Sequence, residues 1–244
     1  MKTPTFSTFL PSQECLLEQT PEEIWVIKGE SHLNKWVRET GRLDHDLGLP
    51  EITKYITLNS VVIDVGANIG DHTIAYLRAT GPNGIVIAYE PHPLACECLR
   101  RNCPEALAFQ CAVGEEIGQA NFFPEPFNVG ASYLSKSGNT VVNMTTLDSD
   151  FSKILSPLQW KNVSLIKIDV EGSEIEVLRG GERLISQYRP VLVVEVNAAT
   201  LKRRGHYHQQ IRAFMELHNY RVVFMPPESS WEHEPQMDIL CLPH

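Results

Sequence analysis

From Ser60 onward the chain alternates compact apolar runs with stretches of helical spacing. VVIDV (61–65), IVIAYE (85–90), LAFQC (107–111), LIKIDV (165–170) and VLVVEV (191–196) are apolar at nearly every position. That pattern fits strands buried on both faces, not the in–out alternation of a half-exposed sheet. Between them DHTIAYLRAT, PLACECLRRN and SEIEVLRGGERLIS read as helices, with Gly180 and Gly181 expected to divide the last. One more helix is expected over about 200–218, followed by RVVFM and DILCL as a closing pair of strands. Repeated βαβ order predicts right-handed crossovers and an α/β fold: a Rossmann-like, mostly parallel seven-stranded sheet with helices on both faces. In such a sheet ligands bind beyond the carboxyl ends of the strands.

Two regions depart from this rhythm. Between Ala120 and Thr146, NFF and TVVNMTT flank a Gly-, Ser- and Asn-rich middle and predict a β-hairpin insertion, whose FNVGASYLSKSGN (127–139) is a candidate mobile flap. Residues 1–59 read as an N-terminal extension ahead of a 60–244 domain. Within it TPEEIWVIKG suggests a short strand, SHLNKWVRETG a helix ended by Gly41, and LPEITKYI a helix opened by Pro50. The intervening LDHD, with Asp44, His45 and Asp46, reads as a solvated loop in preference to a lid over a site. His206, Tyr207 and His208 read as exposed helix surface.

Composition narrows the function classes. With 244 residues, 43% of them hydrophobic, the chain can bury one good core. A formal charge of −9 gives no basic footprint, so neither nucleic acid nor an anionic membrane surface is an expected partner. No run approaches the roughly 20 apolar residues that span a bilayer, and the first twenty residues lack a secretory pattern, so a soluble cytoplasmic protein is expected. Its partner would be a small molecule; a homo-oligomer is compatible. Six cysteines then read as reduced thiols, and the spacing of Cys96, Cys98 and Cys103 is not that of a zinc ribbon.

Chemistry gathers at the strand ends. The first strand ends in Asp64 and runs into G-x-N-x-G at Gly66, Asn68 and Gly70 before a helix begins. Glycines permit a tight turn and close approach of a ligand, and the helix N-terminus offers free N–H groups. Glu90 ends the second strand, where a carboxylate can accept both hydrogen bonds of a ribose diol. A nicotinamide dinucleotide and S-adenosylmethionine both satisfy this much. The dinucleotide fingerprint G-x-G-x-x-G is absent, however, and Asp64 suits a methionine ammonium better than a pyrophosphate. A Tyr–Lys pair one helical turn apart, as a short-chain reductase needs, is missing too. A nicotinamide-dependent oxidoreductase or epimerase, and a nucleoside-binding module without turnover, are the alternatives.

VVIDVGANIGDHT, AYEPHP, TTLDS and above all LIKIDVEGSEIEVLRGG followed by RPVLVVEVN resemble, in order, the blocks of the FkbM family of S-adenosylmethionine-dependent methyltransferases. The resemblance runs from about Val61 to Asn197, and KIDVEGSE is its most specific part. It implies a class I methyltransferase fold, S-adenosyl-L-methionine as cofactor and a hydroxylated acceptor such as a carbohydrate. It further implies Asp64, Gly66 and Gly70 at the methionine, Glu90 at the ribose, and Cys111 and Ala112 at the adenine, with Asn68 and Pro91 also expected at the cofactor; residues 1–59, outside the resemblance, are a candidate substrate cap.

Methyl transfer to an alkyl hydroxyl needs in-line alignment and a way to remove a proton. Asp169, Glu171, Glu174, Glu195 and Asn197 fall at the ends of the fourth and fifth strands and should converge near the transferred methyl. Asp169, which also borders the cofactor, Glu171 and His72 are the catalytic candidates. Glu174, Glu195 and Asn197 are the candidate substrate contacts. A second reading makes Asp169, Glu195 and Asn197 ligands of Mg²⁺, which prefers oxygen donors.

Overall fold

A computed structural model describes residues 16–44, 49–125, 127–151, 153, 162–227, 229–232 and 236–244. The elements follow in order: β1 (Leu17–Gln19), β2 (Trp25–Ile27), α1 (Leu33–Thr40), α2 (Leu49–Thr53), β3 (Val61–Val65), α3 (Thr73–Thr80), β4 (Ile85–Tyr89), α4 (Pro93–Asn102), β5 (Leu107–Phe109), β6 (Ala112–Val113), β7 (Gly118–Phe123), β8 (Tyr133–Leu134) and β9 (Thr140–Thr145). Then come α5 (Leu147–Asp150), β10 (Val163–Ile168), α6 (Glu174–Gly180), α7 (Glu182–Tyr188), β11 (Val191–Asn197), α8 (Ala198–Arg204), α9 (His208–Leu217), β12 (Tyr220–Met225) and β13 (Gln236–Pro243).

The apolar runs form one seven-stranded sheet in the order β12-β13-β11-β10-β3-β4-β5. The strands from β11 to β5 pair in parallel, and β13 runs against both β11 and β12. The period of two in a strand decides which helices each residue meets. Val61, Ile63, Ile166 and Ile168 pack in one cluster with Ile175, Val177, Ile185 and Met215 of α6, α7 and α9. Val62, Leu165 and Val193 pack in another with Ile52 of α2 and Tyr76 of α3. Counting on by two from this second set reaches Asp64, then Lys167 and Asp169, then Glu195. Four ionisable groups therefore leave the carboxyl end of the sheet on one face.

Several boundaries differ from the sequence reading. The helix expected over 200–218 is two, because Gly205 takes a left-handed φ of 81° and ends α8. The division at Gly180 and Gly181 is present, since α6 stops at Gly180 and α7 starts at Glu182. Gly180 lies so close to Gly114 that a Cβ there would stand 1.9 Å from its carbonyl oxygen. The expected hairpin is the centre of a four-stranded sheet, β6-β9-β7-β8, in which β6 pairs parallel to β9. At the N-terminus the short strand has a partner, β1, and α1 ends at Gly41 (φ 66°) as its sequence predicts. Leu17, Val26, Leu33 and Val37 of this region share a core cluster with Ile69 and Leu99. Asn102 of α4 bonds both Trp25 N and Trp25 O and also the Ile69 carbonyl, tying β2 to the glycine loop.

Candidate active site

The glycine loop has the shape its spacing calls for. Gly66, Asn68 and Gly70 take positive φ of 84°, 50° and 100°, alternating with ordinary residues. Glycine adopts that region freely and asparagine more readily than other residues with a Cβ. Gly66 also packs on the next strand end: a Cβ there would lie 1.8 Å from the Asp169 carbonyl oxygen. Glu90 braces the loop from β4, accepting Asn68 N–H at 2.9 Å and His92 N–H at 2.7 Å. Burial pushes its carboxyl up to about 7 even with those two donors.

The loop, Glu90 and the ends of β10 and β11 surround one cavity of about 310 Å³. Of the residues singled out from sequence, Gly66, Asn68, His72, Glu90, Pro91, Cys111, Ala112, Asp169, Glu171 and Glu195 border it. Four do not. Asp64 is completely buried behind the loop, where Thr73 Oγ1 donates to its Oδ2 at 2.6 Å. Gly70 turns toward α4, against Cys103 and Leu99. Glu174, expected at the acceptor, is instead 1% exposed and accepts N–H bonds from Val170 (3.2 Å) and Gly172 (2.9 Å), so it shapes the KIDVEG turn from beneath. Asn197, expected as substrate contact and metal ligand, spends its Oδ1 capping α8 through the N–H groups of Ala199 and Thr200. The trio whose oxygens do lie within 4.8 Å of one another is Asp169, Glu171 and Glu195.

Electrostatics at this floor turn on Lys167, which the sequence reading passed over. It is the register partner of Asp64, is 6% exposed, borders the cavity, and places Nζ 3.1 Å from Asp169 Oδ2. Burial alone would lower the lysine, but the charges of Asp169 and Asp64 hold it well above its usual value. Burial would likewise raise Asp169, yet the ammonium outweighs it and the carboxyl stays below its ordinary range. Glu195 has no such cation, so burial and then the Asp169 charge push it well up and it keeps its proton at neutral pH. Glu171 sits between, raised to about 7 by burial and Asp169. Its backbone is left-handed (φ 56°), a conformation costly for a residue with a Cβ and found where surroundings over-determine it. His72 Nδ1 lies 3.2 Å from the Tyr76 hydroxyl.

The roof comes from two segments named from sequence only as a candidate flap and an N-terminal extension, without their individual residues. Asn128 and Ser132 between β7 and β8, Tyr133 of β8, and His32 and Leu33 at the start of α1 face the cavity. The candidate flap is held at its start and its middle. Ser31 donates from N and Oγ to the Phe127 carbonyl (2.9 and 2.8 Å), while the Arg203 guanidinium stacks 3.5 Å from the Tyr133 ring centroid. Asp44 pairs with Arg42 and Arg78, and His45 and Asp46 lie outside the described residues. His206 pairs with Glu176 at 3.1 Å and His208 stacks on Trp231, both away from the cavity wall. Cys96, Cys98 and Cys103 are buried free thiols. Among the described residues no helix is long and apolar enough to cross a membrane.

The sequence profile of the methyltransferase FkbM domain matches residues 64–222, more than half of the chain and every element of the cavity floor. The chain belongs to the FkbM methyltransferase family. This FkbM domain is 27% identical over 188 residues to the hexuronic acid methyltransferase AglP of Haloferax volcanii, covering 74% of this chain and 69% of that protein. It is 29% identical over 149 residues to Methyltransferase 1 of Beauveria bassiana, covering 50% of this chain and 58% of the relative. Among solved structures, an FkbM methyltransferase from Methylobacillus flagellatus superposes with a TM-score of 0.50 at 16% identity, over 76% of this chain and 44% of that one. That likeness shows the shared fold, a Rossmann-like class I methyltransferase sheet. The domain is of the S-adenosylmethionine-dependent class.

Proposed function

We propose that this FkbM domain moves the methyl group of S-adenosylmethionine to a hydroxyl oxygen of a small polyol, a sugar being the best fit. One observation carries the reading: a single cavity of about 310 Å³ joins the glycine loop, Glu90 and three carboxylates. The volume lies at the lower end of the roughly 300–1,000 Å³ usual for small-molecule sites. The residues fit the cofactor. The left-handed loop leaves backbone exposed at Gly66, Glu90 retains lone pairs for a ribose diol, and Cys111 and Ala112 offer a mostly apolar slot for a base. When bound, the sulfonium supplies an electrophilic methyl carbon. AglP, by its name a hexuronic acid methyltransferase, supports a sugar acceptor.

The protein's own contribution is orientation and proton removal. Glu171, raised to about 7, is matched to accept a hydroxyl proton near neutral pH, as a general base should be. Asp169, kept ionised by Lys167, accepts a hydrogen bond from the same hydroxyl or its neighbour and fixes the line of attack. His72, bordering the same cavity, is a further acceptor for the released proton. A divalent ion drawing Asp169, Glu171 and Glu195 together is the second reading, since their oxygens lie within 4.8 Å of one another. The first is preferred because Lys167 already supplies a cation at Asp169. Incubation with methyl-labelled cofactor and a panel of glycosides tests both. Turnover that persists in excess EDTA and falls about 10²–10⁴-fold in Glu171→Gln supports the base; turnover abolished by EDTA and restored by Mg²⁺ supports the ion.

A further inference from the structure

We infer that the acceptor end of the cavity selects uncharged or cationic polyols and rejects anionic ones, with Asp169 and Glu171 setting that selectivity. The inference rests on the proposed methyl transfer to a hydroxyl and adds the charge class of the acceptor, which sets this domain apart from AglP, whose name gives an acidic sugar. Its basis is an imbalance of hydrogen-bonding groups. Asp169, Glu171 and Glu195 present carboxyl oxygens within 4.8 Å of one another. Glu195 Oε2 is buried with no partner among the described residues, and so are Asn68 Oδ1 in the loop and Asn128 Oδ1 in the roof. All three residues border the cavity. Buried acceptors without donors are costly, so a ligand that fills this space must bring O–H or N–H groups.

The nearby cations are already engaged. Lys167 Nζ stands 3.1 Å from Asp169, with the Asp64 charge on its other side. Arg203 lies on the Glu171 carbonyl (3.3 Å), 3.9 Å from its Oε2 and over the Tyr133 ring. An acceptor carboxylate at this end would meet like charge without a free partner. At about 4 Å and a protein-surface dielectric, one such contact weakens binding by a hundredfold or more, on the order of the Coulomb interaction itself.

The test uses the full chain loaded with S-adenosylhomocysteine and three probes of one shape: a methyl hexopyranoside, the matching methyl hexuronate and its uronamide. The uronamide keeps the size of the uronate and removes the charge. Binding is read by calorimetry or saturation-transfer NMR at pH 7.5. The hexopyranoside and uronamide are expected to bind alike, the uronate about a hundredfold more weakly. Glu171→Gln should narrow that gap by about tenfold, and Glu195→Gln, which replaces a carboxyl already neutral at this pH, should leave it within about threefold. Uronate binding within threefold of the uronamide overturns the inference, as does failure of all three probes to bind the loaded protein. Failure of S-adenosylhomocysteine to bind in the same titration falls instead on the proposed function.

Discussion

Lys167→Met is the substitution that most sharply tests how the cavity floor is held. The lysine is 6% exposed and serves two carboxylates, Asp169 directly at 3.1 Å and Asp64 through its charge. Methionine keeps most of the volume and removes the cation. Removing one member of a buried ion pair costs about 3–5 kcal/mol, because the remaining charge stays buried without compensation. Against a total stability of about 5–15 kcal/mol this is a large share. The cost must depend on pH. Lysine is charged throughout the acid and neutral range, so the wild-type contribution is fully present there and is lost only as pH rises through its raised value. In the variant, Asp169 and Asp64 have raised carboxyls, so their penalty is full at high pH and is relieved as they take up protons. Urea unfolding followed by circular dichroism at pH 8 and pH 5.5 measures both parts. The expected loss is about 3–5 kcal/mol at pH 8 and distinctly less at pH 5.5. A loss below about 1 kcal/mol, or an equal loss at both pH values, would refute the assignment of Lys167 as the shared counter-charge.

Gly66→Ala should be severe, since its Cβ would stand 1.8 Å from the Asp169 carbonyl at a φ of 84°. A loss of about 2–5 kcal/mol by urea unfolding, or of at least a hundredfold in S-adenosylhomocysteine affinity, is expected, and near-wild-type behaviour in both would show that the loop and β10 end are not packed this way. The wild-type protein should lose stability as pH rises from about 4.5 to 7, because Glu90, Glu171 and Glu174, each raised to about 7, keep protons that the unfolded chain releases. Each such proton contributes a slope of about 1.4 kcal/mol per pH unit, and a stability that rises across this window in urea titrations would contradict the burial of these groups. Arg204→Ala should cost about 1–3 kcal/mol by removing both guanidinium bonds to Glu176 (2.7 and 2.8 Å) that join α8 to α6; an unchanged unfolding midpoint would count against that clasp.

Strands were the legible part of the fold, because a strand buried on both faces writes itself as an unbroken apolar run. VVIDV and VLVVEV correspond to β3 and to most of β11. Helix breaks were legible at Gly41 and Gly181 but not at Gly205, whose flanks, KRR and HYH, carry no apolar periodicity to interrupt. The glycine-loop side of the cavity could be read, because Gly66, Asn68 and Glu90 are residue types that a left-handed backbone or a diol would call for. The carboxylate side could not. Glu174 and Asn197 have the chemistry of ligand-binding residues, yet both serve nearby backbone N–H groups, a use that spacing alone does not separate from ligand contact. Lys167 did leave a signal. A lysine inside LIKIDV, where every neighbour but one is apolar, marks a buried charge, and a buried charge requires a partner on the same face two residues on. The roof residues Asn128 and Tyr133 were legible only as members of the Gly- and Ser-rich candidate flap, because their individual places depend on how the small sheet folds over the large one.

Titrating the purified protein with S-adenosylhomocysteine, NAD and NADP by calorimetry is the most direct measurement. One molecule of S-adenosylhomocysteine should bind per chain, neither dinucleotide should bind, and Glu90→Ala should weaken the interaction by tenfold or more, on the order of a lost charged hydrogen bond. Binding of a dinucleotide in place of S-adenosylhomocysteine, or S-adenosylhomocysteine affinity untouched by Glu90→Ala, would contradict the placement of the cofactor in this cavity.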